Sequence, residues 1–263
     1  MRFQFWIAAF VCAANVAHAQ KQPPAIRARA TTWLPSRALP QDIAKQADQM
    51  LKSLKGVKAI VDYTIRTSTG DGYGQVVEKY KSPTVFAFEL PVIVKGKATT
   101  ARVVADGKRV TTVVDENWKQ TRVGQKRQSP HPVYLAQNWP IMATREILST
   151  HLDGRNPFSE YFNGLQKTGT TLKVQQRSVT FEGHTMRQYM IVANRPPDAA
   201  KRYGKLAGKF IFDSDIHLPV TLSVSVKQPG KKREIYVAWN AKWHNNETFT
   251  ASELKPPPRP TKT

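Results

Sequence analysis

Cysteine is all but missing from this chain. The single one, Cys12, lies inside the N-terminal apolar run Phe5–Val16. Arg2 ahead of that run and Ala17-His18-Ala19 behind it mark Met1–Ala19 as a secretory signal peptide, cut before Gln20. A lipoprotein signal needs small residues just before its cysteine, and Phe10-Val11 stand there instead. The mature chain is thus expected to have no disulfide, no thiol nucleophile and no thiolate metal site. Long apolar runs are missing too. The first run is too short to cross a bilayer and no other stretch reaches the ~20 residues required, so a membrane-spanning protein is not expected. Acidic residues are scarce, with Asp+Glu 19 against Lys+Arg 40 and a formal net charge of +21. Loss of Arg2 with the signal peptide lowers this to +20.

Catalytic signatures are absent as well. There is no Gly-x-Ser-x-Gly elbow, phosphate-binding glycine loop, zinc helix or dinucleotide fingerprint. Asp213, Asp215 and His217 alternate, so an extended chain would aim all three one way, as a metal or acid–base site needs. Asp-Ser-Asp is also ordinary turn chemistry, and that reading is preferred. His151 with Asp153 reads as a helix end, where a histidine meets the dipole favourably. His131, His184 and His244 have no companions at ligand spacing. No enzyme, no cofactor and no metal are expected.

What the chain does have is alternation. Thr99–Val114 reads as a hairpin around a type I′ turn at Asp106-Gly107, with Ala101, Val103 and Ala105 sharing one face and Val110, Thr112 and Val114 another. Gly74–Tyr80 and Thr84–Leu90 precede it as further strands, making an antiparallel meander. Strand Val57–Thr67 comes before them, across a glycine-rich turn at Gly70–Gly72. Later strands are predicted at Thr171–Phe181, Thr185–Ala193, Lys209–Phe212, Val220–Val226 and Glu234–Trp243, the last two joined at Pro229-Gly230.

Helices are few. Ile43, Ala47, Met50, Leu51 and Leu54 recur at helical spacing over Pro40–Lys55, with the lysines and Asp48 largely on the other faces. Met142–Leu152 resembles a helix, and Asn156-Pro157 reads as a cap with a first-turn proline opening a helix through Leu165. Trp118–Trp139 reads as an irregular connection. Gln20–Leu39 is a flexible lead, residues 40–254 one domain, and 255–263 a proline-rich basic tail.

About ten strands and three helices predict an α+β, mostly β protein. Its large curved sheet forms an unclosed antiparallel β-barrel, with the helices covering the concave face. Such a sheet has more apolar area than few helices can hide, leaving a groove for hydrocarbon. Val61, Tyr63, Phe86, Phe88 and Trp239 are the ligand-binding residues expected to line it. Each is equally suited to an ordinary core.

Several short motifs occur in a telling order: the amphipathic N-terminal helix, Val57–Thr67, Lys81-Ser82-Pro83, Val104–Lys108, FDSDIHLPV over Phe212–Val220, and Asn246–Thr250. Together they resemble LolA-like proteins, the periplasmic carriers of outer-membrane lipoproteins, over about Pro40–Leu254. The resemblance implies a periplasmic location, an open barrel with a helical lid, and lipid or acylated lipoprotein as partner. One position departs from it. The carriers place an arginine, associated with cargo release, before the proline that opens the third strand, and this chain has Ser82. Lysines nearby do not reproduce a planar guanidinium fork. The alternative expectation is a basic envelope scaffold adhering to anionic polymers or lipid headgroups. Export makes nucleic acid the least available polyanion, and none is expected as partner.

Overall fold

The structure, a computed structural model, describes residues 29–66, 71–82, 84–94, 97–114, 117–122, 156–181, 183–227, 229–230 and 234–256. The expected signal peptide, the helix expected at Met142–Leu152, His131, the His151–Asp153 pair and the tail beyond residue 256 lie outside the described residues.

Alternating residues build the sheet, because side chains of one strand leave its two faces in turn. Six consecutive strands form the first meander: β3 (Val57–Arg66), β4 (Asp71–Ser82), β5 (Val85–Val94), β6 (Lys97–Asp106), β7 (Arg109–Val114) and β8 (Asn117–Arg122). Five more form the second: β9 (Thr171–Phe181), β10 (His184–Asn194), β11 (Lys205–Asp213), β12 (Pro219–Lys227) and β13 (Ile235–His244). Two short strands precede both, β1 (Arg29–Ala30) and β2 (Leu34–Pro35), and each pairs with β9. Every pairing is antiparallel. The order runs β1-β9-β10-β11-β12-β13-β3-β4-β5-β6-β7-β8 and the two ends do not meet, so the single sheet is an unclosed barrel. The meanders join at one seam, β13 on β3, from Tyr236 opposite Arg66 to His244 opposite Lys58.

Three helices are described: α1 (Pro40–Ser53), α2 (Pro157–Lys167) and α3 (Pro197–Tyr203). Each has a proline in its first turn, where the missing N–H costs nothing. Helices α1 and α2 pack on each other, and their apolar stripes (Ile43, Ala47 and Leu51; Phe158, Phe162 and Leu165) join one core cluster with the sheet. The face of the sheet in that cluster is the inner face.

Several boundaries and contacts differ from expectation. In the β6–β7 hairpin Ala105 pairs with Val110, so the two-residue loop is Gly107-Lys108, one step later than predicted. Positive φ falls on Gly107 alone (+92°), which does not fit a type I′ turn, and Asp106 Oδ1 accepts the backbone N–H of Lys108 and Arg109. Strand β8 runs from Asn117 into the stretch expected to be irregular. Helix α3 falls where no helix was expected; none of its residues is buried, so no apolar stripe announced it. Within the lead, Arg177 lies over the Trp33 ring at 4.4 Å while its fork donates to Gln188, holding residues 29–36 along β9.

Asp48 corrects the reading of α1. It sits on the buried side and caps α2 from outside: Oδ1 accepts the N–H of Phe158 (2.8 Å), and Oδ2 accepts the N–H (3.0 Å) and hydroxyl (2.6 Å) of Ser159. Asn156 makes no side-chain cap of its own.

Candidate functional site

The inner face is built by register. Across seven strands one row runs Val174, Ile191, Phe210, Leu222, Trp239, Tyr63 and Gly74, each paired directly with the next. A second row runs Trp243, Ala59, Glu78, Phe88 and Val103. Two aromatic groups flank the centre. On one side Phe162 meets Phe210 edge-on at 5.0 Å and Phe158 meets Phe212 at 5.7 Å. On the other, Tyr80, Phe86 and Phe88 follow one another at 5.7 and 6.0 Å.

All five residues singled out from the sequence lie on this face and in its core cluster. Trp239 and Tyr63 are direct cross-strand partners; Val61 is two residues along β3; Phe86 and Phe88 stand two strands away on β5. Each is buried, from 0% exposed at Phe86 to 6% at Tyr63. Tyr63 reaches over Gly74, where a Cβ would stand 2.8 Å from its hydroxyl. Only glycine leaves room for that ring.

Four polar groups interrupt the apolar lining: the Glu78 carboxyl, the Tyr80 and Tyr63 hydroxyls and the Trp239 indole N–H. Glu78 lies between Val76 and Tyr80 on β4, fully buried, and its Oε2 accepts the Tyr80 hydroxyl at 2.7 Å. Burial pushes the Glu78 carboxyl up, an effect the Tyr80 hydrogen bond only partly offsets, and pushes the Tyr80 hydroxyl well up. Burial also raises Tyr63. Trp239 is 4% exposed, and its Nε1 has no acceptor among the described residues. An unmade buried hydrogen bond costs about 1–3 kcal/mol. Sequence reasoning missed Glu78, though its place between two core positions of an alternating strand was the available signal.

The outer face carries a strap. Residues 247–254 cross β4–β6: Glu247 N–H donates to Gly56 O (2.7 Å), and Leu254 packs with Ala87 and Val104. Lys79 pairs with Glu253 at 2.7 Å, and Arg102 donates to Glu89 and to the carbonyls of Ser252 and Glu253. Glu253 is held down to about 2 by Lys79 and by hydrogen bonds from Thr250. Beneath the strap is a groove of about 760 Å³ floored by Ile60, Val77 and Ala87.

Asp213, Asp215 and His217 do not converge. Asp213 Oδ1 accepts the N–H of Asp215, while Asp215 Oδ2 is 2.8 Å from Nε2 of His184 across the hairpins. That contact, the first cause, holds the Asp215 carboxyl below its usual range. Among the described residues no three acidic, histidine or cysteine groups gather for a metal ion. Ser82 Oγ accepts the N–H of Val85 at 3.2 Å, a turn contact. No described helix is long and apolar enough to cross a membrane.

Comparison with solved structures finds matches over most of this chain. The chain is similar to a LolA superfamily protein. That protein, NE2245 from Nitrosomonas europaea, is 7% identical with TM-score 0.35, over 83% of this chain and 98% of that one. LprF from Mycobacterium bovis is 12% identical with TM-score 0.38, over 84% and 99%. The MucA/MucB complex of Pseudomonas aeruginosa gives 10% identity and TM-score 0.33, over 83% of this chain and 61% of that one. No family model and no curated protein matches the sequence.

Proposed function

We propose that the protein is a periplasmic binding and carrier protein for a hydrophobic ligand, a lipid or the acyl chain of a lipoprotein, held between the inner face and its helices. The observation that carries this reading is the row of large apolar side chains from Val174 to Tyr63, six strands wide and lying on the helix side of the sheet, whose polar atoms are the Trp239 indole N–H and the Tyr63 hydroxyl. Val61, Tyr63, Phe86, Phe88 and Trp239, at the end of this row and on the strands beside it, are the proposed contacts. An acyl chain laid along them gains ~0.8 kcal/mol per buried methylene. The order of short motifs that resembles LolA-like proteins supports the same reading, as does the targeting segment for the location.

Ser82, occupied in a turn, supplies no guanidinium, so cargo release by the carriers' arginine is not part of the proposal. The test uses the whole chain purified from cells. Extractable lipid is expected, together with binding of a fluorescent fatty-acid probe that long-chain lipid displaces with little dependence on salt. Folded protein with neither lipid nor probe binding would sink the reading. Binding confined to anionic vesicles and lost steeply with salt would point instead to adhesion through the basic surface.

A further inference from the structure

Few large apolar side chains stand in the open among the described residues, and those few gather. They are Leu34 (59% exposed), Leu39 (58%), Tyr73 (73%) and Tyr203 (40%). One rim of the sheet accounts for them. It passes from Thr171 opposite Asn194 at β9–β10, through Lys205 opposite Lys227 at β11–β12, to Arg66 opposite both Tyr236 and Asp71. Tyr203 ends α3 just before β11, and Tyr73 is the third residue of β4. Leu34 lies opposite Gln176, and the chain runs from there toward the start of β9, Ser36 N–H reaching Val174 O. Leu39 follows at the N-cap of α1, tied to the end of α2 by the bond from Gln41 to Gln166 (2.9 Å). Arg195 holds this rim together, donating to the hydroxyls of Thr168 and Thr170 and to the carbonyls of Tyr203 and Gly204.

Cations stand between these side chains. Arg37, Lys167, Lys173, Lys201, Arg202 and Lys205 are exposed around Leu39 and Tyr203, against Asp42 and Asp198, the latter paired with Lys201 at 3.4 Å. We propose that this rim docks on an anionic phospholipid bilayer. Charge alone would suit any polyanion, but a soluble polymer gives leucine and tyrosine nothing to enter. A bilayer offers anionic headgroups over hydrocarbon. The lysines and arginines reach the first, the leucines enter the second, and tyrosine rests at the boundary. Leu34, Leu39 and Tyr203 also stand apart among the cations, unlike the continuous apolar centre of a protein interface. A fluid headgroup layer closes round each one. This inference goes beyond the inner-face reading and does not depend on it, since it uses other residues.

The test sediments the full chain with vesicles of phosphatidylglycerol mixed with phosphatidylcholine, and with vesicles of phosphatidylcholine alone. Binding to the mixed vesicles is expected, and none to the neutral ones. Leu34→Ser with Leu39→Ser leaves the charge unchanged and should weaken binding roughly tenfold through the apolar area withdrawn. Serine is a favoured N-cap residue, so the change at Leu39 does not endanger α1. Lys167→Gln with Lys173→Gln should weaken binding by roughly tenfold or more. Lys81→Gln with Lys108→Gln, exposed at the opposite rim, should leave it within about twofold. No preference for the anionic vesicles overturns the proposal. So does an equal loss from the two lysine pairs, which would spread adhesion over the whole basic surface. Unchanged affinity in the leucine variant overturns it too, leaving charge as the sole attraction. Fatty-acid probe binding should be the same in every variant. Failure here therefore leaves the inner-face reading standing, and failure of that reading shows in the probe assay alone.

Discussion

Asp48 and Glu78 are both buried acids, and their surroundings give them opposite consequences. Asp48 faces three donors at the start of α2, where the positive end of the helix dipole also favours it. Asp48→Ala leaves two backbone N–H groups without their acceptor. It should cost roughly 2–3 kcal/mol, between the loss of an ordinary cap and that of a buried charged hydrogen bond, as read by urea unfolding. A loss below half a kcal/mol would mean that α2 does not depend on this cap. Among the described residues Glu78 meets only the Tyr80 hydroxyl. Its carboxyl is raised in the folded state, so folding favours the protonated form. Its contribution is greatest below the ordinary Glu value and is lost as pH climbs above that value. Glu78→Gln should therefore flatten the fall of melting temperature as pH rises above the ordinary Glu value. An unchanged slope would place the titration elsewhere.

At the scale of elements, the strap over β4–β6 should be pH-sensitive in the other sense. Glu253 is depressed to about 2, so its contacts with Lys79 and Thr250 persist above the ordinary Glu value and fade as pH falls toward 2. The protection of the Glu247 amide, whose N–H reaches Gly56 O, should fall over that interval relative to the intrinsic exchange rate at each pH, while protection at Phe210 in β11 stays high. An equal loss of protection at both sites would mean general unfolding instead of strap release. The elements were largely legible in the sequence. Alternation placed ten of the thirteen described strands within a few residues, since an alternating pattern needs only the strand itself; β1, β2 and β8 were not expected, the first two lying in the stretch read as a flexible lead. The turn at Gly107-Lys108 slipped by one because either neighbour of Asp106 could carry the loop, and only the pairing of Ala105 with Val110 decides. The cap from Asp48, the Tyr80–Glu78 bond and the state of the Trp239 N–H depend on residues brought together by the fold, so no local pattern held them. The five inner-face residues were chosen by alternation too, which could not say that the Trp239 N–H lacks an acceptor.

For the molecule as a whole, one core cluster runs through both meanders and the helices, from Phe86 and Phe88 to Phe210 and Ile191. The two meanders should then melt together. Tryptophan fluorescence, with Trp239 and Trp243 at the seam, and far-ultraviolet dichroism should report one midpoint. Separated midpoints would show that each meander holds a core of its own.

The seam has a further consequence in time. Strand β3 leaves the ribosome some 170 residues before β13, its partner on one side. Throughout that interval the newborn meander offers a bare edge and an oily surface, open to pairing with another copy of itself. A holding chaperone that masks Val57–Arg66 until Trp243 has emerged would protect yield without altering the finished molecule.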